Sequence, residues 1–424
     1  MSKNVQRIIE VWADWALLDG PTFMGTLFAT PARGKEIFSF EYDSDWLAGV
    51  HAQSLDPALG LFAGPQYAPT RQDNFGVFLD SCPDRWGRVL MRRREAQLAR
   101  AEKRKERKLF ESDYLLGVHD SHRMGALRFR ITRDGPFLDD NQHMASPPWT
   151  SLRELEHVSL QLEREDAADD PNYAKWLRML IAPGGSLGGA RPKASVVDDK
   201  GSLWIAKFPS RRDGDDVGAW EGVAHELATR ARVQTATVQT RTFGSEHHTF
   251  LARRFDRTPE GGRLHFVSAM TLLQRSDGDD AASGVSYLEL AELIMKSGSH
   301  TGPDLEELWR RIVFFICISN TDDHLRNHGF LLEPSGWSLA PAYDMNPNHH
   351  GAGLKLNISE TDNTQDLELA REVAPYFRVK DSRANEIIDL LVGVVAHWRD
   401  VAVAHGISRD EQERMASAFD HTSH

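Results

Sequence analysis

The chain opens with short apolar stretches divided by turn-forming residues. Val11 to Trp15, Phe23 to Ala29 and Ile37 to Tyr42 are rich in aromatic and β-branched residues and are separated by Gly, Pro and Asp, which predicts three strands. From Cys82 to Lys108 the spacing of apolar positions becomes helical. The polar stretch Asp134 to Pro148 reads as a linker or long loop, and helices are predicted at Ser151 to Asp166 and Asn172 to Ile181. A Gly-rich segment then leads into two strands around a turn at Asp198 to Gly201. A helix from Val217 to Ala231 follows, with strands at Thr235 to Thr242 and Thr249 to Phe255. From Tyr287 onward the patterned segments are helical, at Leu288 to Met295, Leu305 to Ile318 and Asn385 to Val403. This order predicts an α+β chain in three parts: a β-rich N-terminal subdomain with its linker over 1–148, a small mixed lobe over 149–258, and an α-helical C-terminal lobe over 259–424.

Composition narrows the classes. A 41% hydrophobic and 26% charged chain is that of a soluble globular protein. Sixty-two acidic against fifty basic residues give a net charge of −12, a poor balance for a general nucleic-acid or membrane-surface binder. The local basic run of Arg92-Arg93-Arg94, then Lys103-Arg104-Lys105 with Arg107 and Lys108, reads either as a solvated helix face or as a docking patch for an acidic partner or nucleic acid. Cys82 and Cys317 are the only cysteines, which excludes a disulfide framework and a Cys-rich zinc site and fits a reducing compartment. The N-terminal residues have no apolar core of signal-peptide length, and the longest apolar run is Ile312 to Ile318. The expectation is a cytoplasmic protein.

Five segments carry candidate chemistry. In Pro183-Gly184-Gly185-Ser186-Leu187-Gly188-Gly189-Ala190, the glycines let the backbone approach a ligand closely and offer N–H groups to phosphate, with Gly188 and Gly189 at its end and Ser186 as its hydroxyl. It matches neither a Walker A loop nor G-x-G-x-x-G. Lys207 ends the predicted strand Leu203-Trp204-Ile205-Ala206-Lys207, on the same face as Leu203 and Ile205, where an apolar face would make the charge costly unless paired. Glu221, early in the next helix, is a candidate partner, with Glu226 competing; a strand Lys paired with a helix Glu is how protein kinases hold ATP phosphates. The run Asn320-Thr321-Asp322-Asp323-His324-Leu325-Arg326-Asn327 puts Asp322 and Asn327 five apart, the interval of the kinase catalytic loop, in which the Asp accepts the substrate hydroxyl proton and the Asn holds metal. Asp344, after the apolar Leu339-Ala340-Pro341-Ala342-Tyr343, falls where the D-F-G aspartate of kinases binds Mg²⁺, without the Gly that follows it there. The order of these five segments points to phosphoryl transfer. His324 reads as shaping the loop, Arg326 as a candidate phosphate contact, and Asp323 as an influence on substrate preference. The pairs His247-His248 and His349-His350 lack metal-site spacing and read as loop residues.

At this point the chain closely resembles the HipA family of serine/threonine kinases, the toxin half of HipBA-type toxin–antitoxin modules. The resemblance is carried by Gly185-Ser-Leu-Gly-Gly-Ala-Arg-Pro-Lys193, Trp204-Ile-Ala-Lys-Phe-Pro209, Arg254-Phe-Asp-Arg257, Asn320 to Asn327 and Leu339 to Asp344. Phe23-Met-Gly-Thr-Leu27, Pro83-Asp-Arg-Trp-Gly87 and Met124-Gly-Ala-Leu-Arg-Phe129 extend it over nearly the whole chain. The resemblance implies a HipA-type kinase fold, with ATP and Mg²⁺ as cofactors. Lys207 would bind ATP phosphates and Glu221 would pair with it. Asp322 would be the catalytic base, and Asn327 and Asp344 would hold Mg²⁺. The strand ending Arg253-Arg254-Phe255-Asp256 would be the hinge facing adenine, through backbone groups and Phe255, and Ser186 would be autophosphorylated, switching the kinase off. It further implies a HipB-like helix-turn-helix antitoxin partner that supplies the DNA contacts, and a protein substrate from the translation machinery such as an aminoacyl-tRNA synthetase. Two other readings remain open: a small-molecule kinase, and a catalytically inactive co-repressor module.

Overall fold

The computed structural model describes residues 5–138, 147–181, 189 and 191–422. The chain forms two compact units, one of Met1–Arg211 with Asp256–Val267 and one of Arg212–Phe255 with Ser268–His424. Helices and sheets are mixed throughout, which is the expected α+β class.

In the first unit, five antiparallel strands form a sheet in the order Gln66–Tyr67, Lys35–Tyr42, Thr22–Ala32, Arg7–Ala13, Leu127–Arg130. One face is dry. Ile9, Val11 and Ala13 alternate inward on one strand and Phe38, Phe40 and Tyr42 on another, as a period of two requires. The sheet closes over Phe75 and Phe78, and the Phe78 ring lies 5.5 Å from Phe40 and 6.1 Å from Phe129. The first strand begins at Arg7, earlier than its aromatic residues suggest; its outward positions are Ile8, Glu10 and Trp12, and Ile8 is exposed.

The helix Arg85–Ala101 starts on an Asp84 cap, whose carboxylate accepts the Gly87 N–H at 2.7 Å. It stops short of the predicted Lys108. Lys103 takes a left-handed φ of 53°, and the Arg104 N–H closes back on the Ala99 carbonyl at 3.0 Å. Much of the basic run that follows is engaged internally. Arg104 pairs with Glu95 at 2.5 Å, Arg107 reaches Asp113 at 3.3 Å, and the Lys108 ammonium donates to the Gly34 carbonyl at 2.8 Å. Helices Leu152–Leu162 and Tyr173–Ile181 precede the hairpin of Lys193–Val197 with Leu203–Lys207.

The two motifs Met124 to Phe129 and Arg254 to Arg257 meet through their structural members. The fully buried Asp256 accepts the Gly125 N–H at 2.8 Å and pairs with Arg257 at 2.6 Å, while Arg257 donates to the Arg123 carbonyl at 2.9 Å. Gly125 is at φ 71°, and a Cβ there would stand 3.0 Å from the Phe266 nitrogen.

The second unit is built on the helix Thr301–Cys317, which is buried on almost every side from Leu305 onward. Around it are the helices Val217–Arg230, Tyr287–Ser297, Asp381–Val395 and Trp398–Ala404, the hairpin Val238–Arg241 with Thr249–Arg253, and the hairpin Gly329–Glu333 with Gly336–Leu339. The single helix predicted over Asn385 to Val403 is divided at Ala396 and His397, and Trp398 lies stacked on Phe419 at 4.3 Å. Among the described residues no helix is long and apolar enough to cross a membrane.

His265, in the first unit, is buried beside Trp15 at 5.6 Å, and burial pushes its imidazole pKa down to about 3 from 6.5. The unfolded chain binds this proton below pH 6.5, whereas the folded chain refuses it until about 3. The stability is therefore complete above pH 6.5 and lost as the pH falls. Denaturant titrations of wild type and His265→Gln should diverge below pH 6.5, wild type losing about 1.4 kcal/mol more per pH unit. Parallel pH profiles would refute this.

Candidate functional site

Lys207 closes the strand Leu203–Lys207 in the first unit. Trp204 and Ala206 are the buried residues of that strand, and Lys207 shares the half-exposed face with Leu203 and Ile205. The expected apolar face is thus the wetter one, which lowers the cost of a charge there. Directly across the hairpin is Lys193. Its ammonium is 2.9 Å from the Asp84 carboxylate, with both side chains 2% exposed. A Cβ built on Gly189, which has φ 83°, would lie 3.2 Å from the Lys193 Nζ, so the buried pair sits immediately under the end of the Gly-rich segment. Ser186 and Gly188 lie outside the described residues. Sequence patterning does not reveal the Asp84–Lys193 pair, because its members lie in separate segments far apart along the chain.

The second unit holds the other candidates. Glu221 lies on the helix Val217–Arg230 and is only 4% exposed, unlike an ordinary surface glutamate. Its helix is fixed just before that residue. Asp216 caps it by accepting the Ala219 N–H at 3.0 Å, and the neighbouring Trp220 indole donates to Glu411 at 2.9 Å. Glu226 is committed elsewhere, to His405 at 2.9 Å and to Arg230. Arg254 is buried, and the Phe255 ring is tilted against Tyr343 at 5.5 Å.

The candidate catalytic loop leaves the helix Thr301–Cys317 through a complete C-terminal cap. Ser319 adopts φ 49°, its N–H returns to the Ile316 carbonyl at 3.2 Å, and the Asn320 N–H reaches the Phe315 carbonyl at 2.9 Å. The loop is turned by the Asn327 N–H on the His324 carbonyl at 2.8 Å, and the Tyr343 hydroxyl donates to the Arg326 carbonyl at 2.6 Å. Asn348 donates its amide to Thr321 at 2.7 Å, and Asn320 accepts the Asn346 N–H at 3.2 Å. These bonds hold the loop against the segment that carries Asp344.

Asp322 is exposed, and its carboxylate takes no hydrogen bond from the described residues. Asp323 is the reverse: at 1% exposure it accepts the Tyr287 hydroxyl and the His328 Nε2–H, each at 2.7 Å. At that depth any influence of Asp323 on substrate preference runs through the geometry of the loop. Arg326 is half-buried, 3.7 Å from Asp277.

Asn327 and Asp344 are brought together. The Asn327 amide donates to the Asp344 carboxylate at 3.0 Å, which aims its other end, Oδ1, elsewhere; that oxygen is buried with no hydrogen-bond partner. Asp344 is held at φ 60°, a left-handed conformation uncommon outside glycine and tolerated best by Asn and Asp. Among the described residues no group of three or more His, Cys, Asp or Glu is placed to hold a metal. One carboxylate with one open amide oxygen is nevertheless a fitting donor set for Mg²⁺, an ion that keeps several waters and binds through one or two protein groups plus phosphate oxygens.

The family model of the HipA-like C-terminal domain matches residues 185–399. The chain belongs to that family. The fold of HipA in a Shewanella oneidensis structure of HipA, HipB and operator DNA is similar over 98% of this chain and 95% of that one, with a TM-score of 0.64 at 18% identity. A curated Haemophilus influenzae protein named "Putative kinase" is 30% identical over 110 residues, and the chain spans about a third (32%) of that relative's length. The family match runs from the Gly-rich segment through both Asn327 and Asp344.

Removing one member of the buried Asp84–Lys193 pair strands the other charge. Lys193→Met should lower folding stability by about 3–5 kcal/mol, and the double variant Asp84→Leu/Lys193→Met should recover most of that loss. Chemical denaturation of the three proteins checks it, and a harmless single substitution would show that the pair is not a buried ion pair in solution.

Proposed function

We propose that the chain is an ATP- and Mg²⁺-dependent serine/threonine protein kinase, the toxin of a toxin–antitoxin pair. The observation that carries the reading is the juxtaposition of Asn327 and Asp344, with an amide oxygen left open, on a loop whose Asp322 is free to accept a proton. In phosphoryl transfer, catalysis is largely positioning and charge stabilisation, and this chain supplies the parts in separate roles. Lys207 receives ATP phosphates. Phe255 and the adjoining backbone offer a flat edge for adenine. Asp322 takes the proton of the attacking hydroxyl. Asn327 and Asp344 hold the cation, which when bound neutralises charge on the phosphate oxygens.

The family membership and the neighbouring HipA fold support the toxin reading. HipB accompanies HipA in that solved complex, and a helix-turn-helix antitoxin of the same kind is the proposed partner here. The net charge of −12 is consistent with leaving DNA contacts to that partner. The proposed substrate is a protein of the translation machinery, such as an aminoacyl-tRNA synthetase, and Ser186 is the proposed site of self-modification. A phosphate there adds about −1.5 to −2 charge, and the proposed consequence is that the loop leaves the nucleotide site and the kinase is switched off.

Purified protein incubated with ATP and Mg²⁺ should gain one phosphate by intact mass spectrometry, located on Ser186 by peptide mapping. Asp322→Ala should slow its appearance by about 10²–10⁴-fold, the range of a lost general base. Asn327→Ala and Asp344→Ala should weaken the Mg²⁺ dependence as well as the rate. Absence of ATP binding by the wild-type chain would remove the kinase reading. ATP binding with unimpaired phosphate gain in Asp322→Ala would remove Asp322 from the mechanism.

A further inference from the structure

The residues that follow the proposed base and the proposed metal ligand are joined to each other. Asp323 comes directly after Asp322, and His328 directly after Asn327. The His328 Nε2–H donates to Asp323 Oδ2 at 2.7 Å, so one side-chain bond spans the loop at the same interval as the two functional positions, offset by a single residue. The same carboxylate oxygen accepts the Tyr287 hydroxyl at 2.7 Å, from the start of the helix Tyr287–Ser297. Tyr287 is itself fixed, with no exposed surface and with its N–H on the Asn357 carbonyl at 2.9 Å. The His328 carbonyl accepts the Ala269 N–H at 2.8 Å. Both ends of the loop are therefore tied to elements that do not belong to it.

The surroundings are apolar. The Phe315 ring stands 6.3 Å and the Tyr287 ring 5.8 Å from the His328 imidazole. His328 Nδ1 is buried with no hydrogen-bond partner, which assigns the proton to Nε2, where the carboxylate accepts it. Burial and the adjacent carboxylate also hold the Tyr287 hydroxyl protonated well above its ordinary pKa, so it stays a donor. Three polar groups in such a place gain little net stability over well-packed apolar side chains, but they define one geometry sharply.

We propose that Asp323, His328 and Tyr287 are positioning residues that set the separation and orientation of Asp322 and Asn327; the inference rests on the phosphoryl-transfer reading of this loop. Misplacing reacting groups by about 1 Å costs on the order of 10²-fold in rate. Loss of one staple bond, with the others intact, costs less.

The full-length chain is assayed for ADP release from ATP with Mg²⁺ and for ATP affinity by calorimetry, alongside its Tm. Tyr287→Phe, which removes one hydroxyl and little volume, should lower kcat about tenfold while the Kd for ATP stays within about twofold. Asp323→Asn should do the same, and the double variant should be no slower than the slower single variant, because both changes break one unit. Should Asp323→Asn fail to fold, His328→Gln replaces it in the cycle. If the wild type turns over ATP and Tyr287→Phe matches it, or if the losses multiply independently, the staple is refuted while the kinase reading stands. If kcat falls only near the variant's Tm, the network is structural and the inference fails. A wild type that releases no ADP overturns the kinase reading and the staple with it.

Discussion

Glu307 and Arg311, one turn apart on the buried helix Thr301–Cys317, hold the second unit's candidate site in register. Arg311 Nε donates to Glu307 at 2.8 Å, and the far end of the guanidinium reaches the Ala340 carbonyl at 2.8 Å. Glu307 also accepts the Gln234 N–H at 3.0 Å, and the Gln234 carbonyl in turn receives the Ala342 N–H at 2.8 Å. One turn earlier, Asp304 accepts the Leu339 N–H at 3.0 Å. The run Leu339 to Ala342 is thus pinned to the helix at three places, two residues before Asp344. The same helix ends in the cap that launches Asp322. Both functional segments are therefore measured from a single rigid element, and the Asn327–Asp344 bond is where those measurements meet.

Two adjacent aspartates show how environment divides the labour. Asp322 faces water without a partner among the described residues, as the proposed base of a substrate hydroxyl must. Asp323 is buried, doubly bonded and unavailable. Exchanging their surroundings would leave a proposed base that cannot be reached and a charged anchor with nothing to anchor. The left-handed Asp344 adds to this picture, since an unfavourable backbone angle persists only where the bonds around it leave no alternative. Here the Tyr343 hydroxyl and the Asn327 amide supply those bonds on either side.

The candidate site residues stand out in the sequence because they are local. Asp322 and Asn327 lie in one loop, and polar groups packed between apolar segments stand out. The strands and most helices are legible for the same reason, through periods that a short window contains. Helix ends are not, because Lys103 and Ser319 close their helices in a conformation usually given to glycine. The face of Lys207 is misleading because Leu203 and Ile205 look like core, yet Trp204 and Ala206 fill it. Asp84 with Lys193, and Asp323 with Tyr287, are invisible as pairs: no periodicity links residues so far apart in sequence. Asp256 and Arg257 stand in a segment whose resemblance points to the nucleotide, yet their side chains clamp the backbone at Arg123 and Gly125.

These buried charges share a logic. Asp84–Lys193, Asp256–Arg257 and Glu307–Arg311 each bury a carboxylate with a cation, an arrangement that adds little to stability over an apolar core but is severely penalised when distorted. Each also commits a bond, or a close approach, to backbone that must not drift: Gly189 above Lys193, Gly125 on Asp256, Ala340 on Arg311. Apolar packing tolerates a sliding strand or a rotated turn, because its attraction has no direction. A hydrogen-bonded charge in a low-dielectric interior does not. Placed beside the Gly-rich segment and the strand that delivers Asp344, such pairs convert a folded chain into a positioned one, which is what a reaction governed by alignment and electrostatics requires.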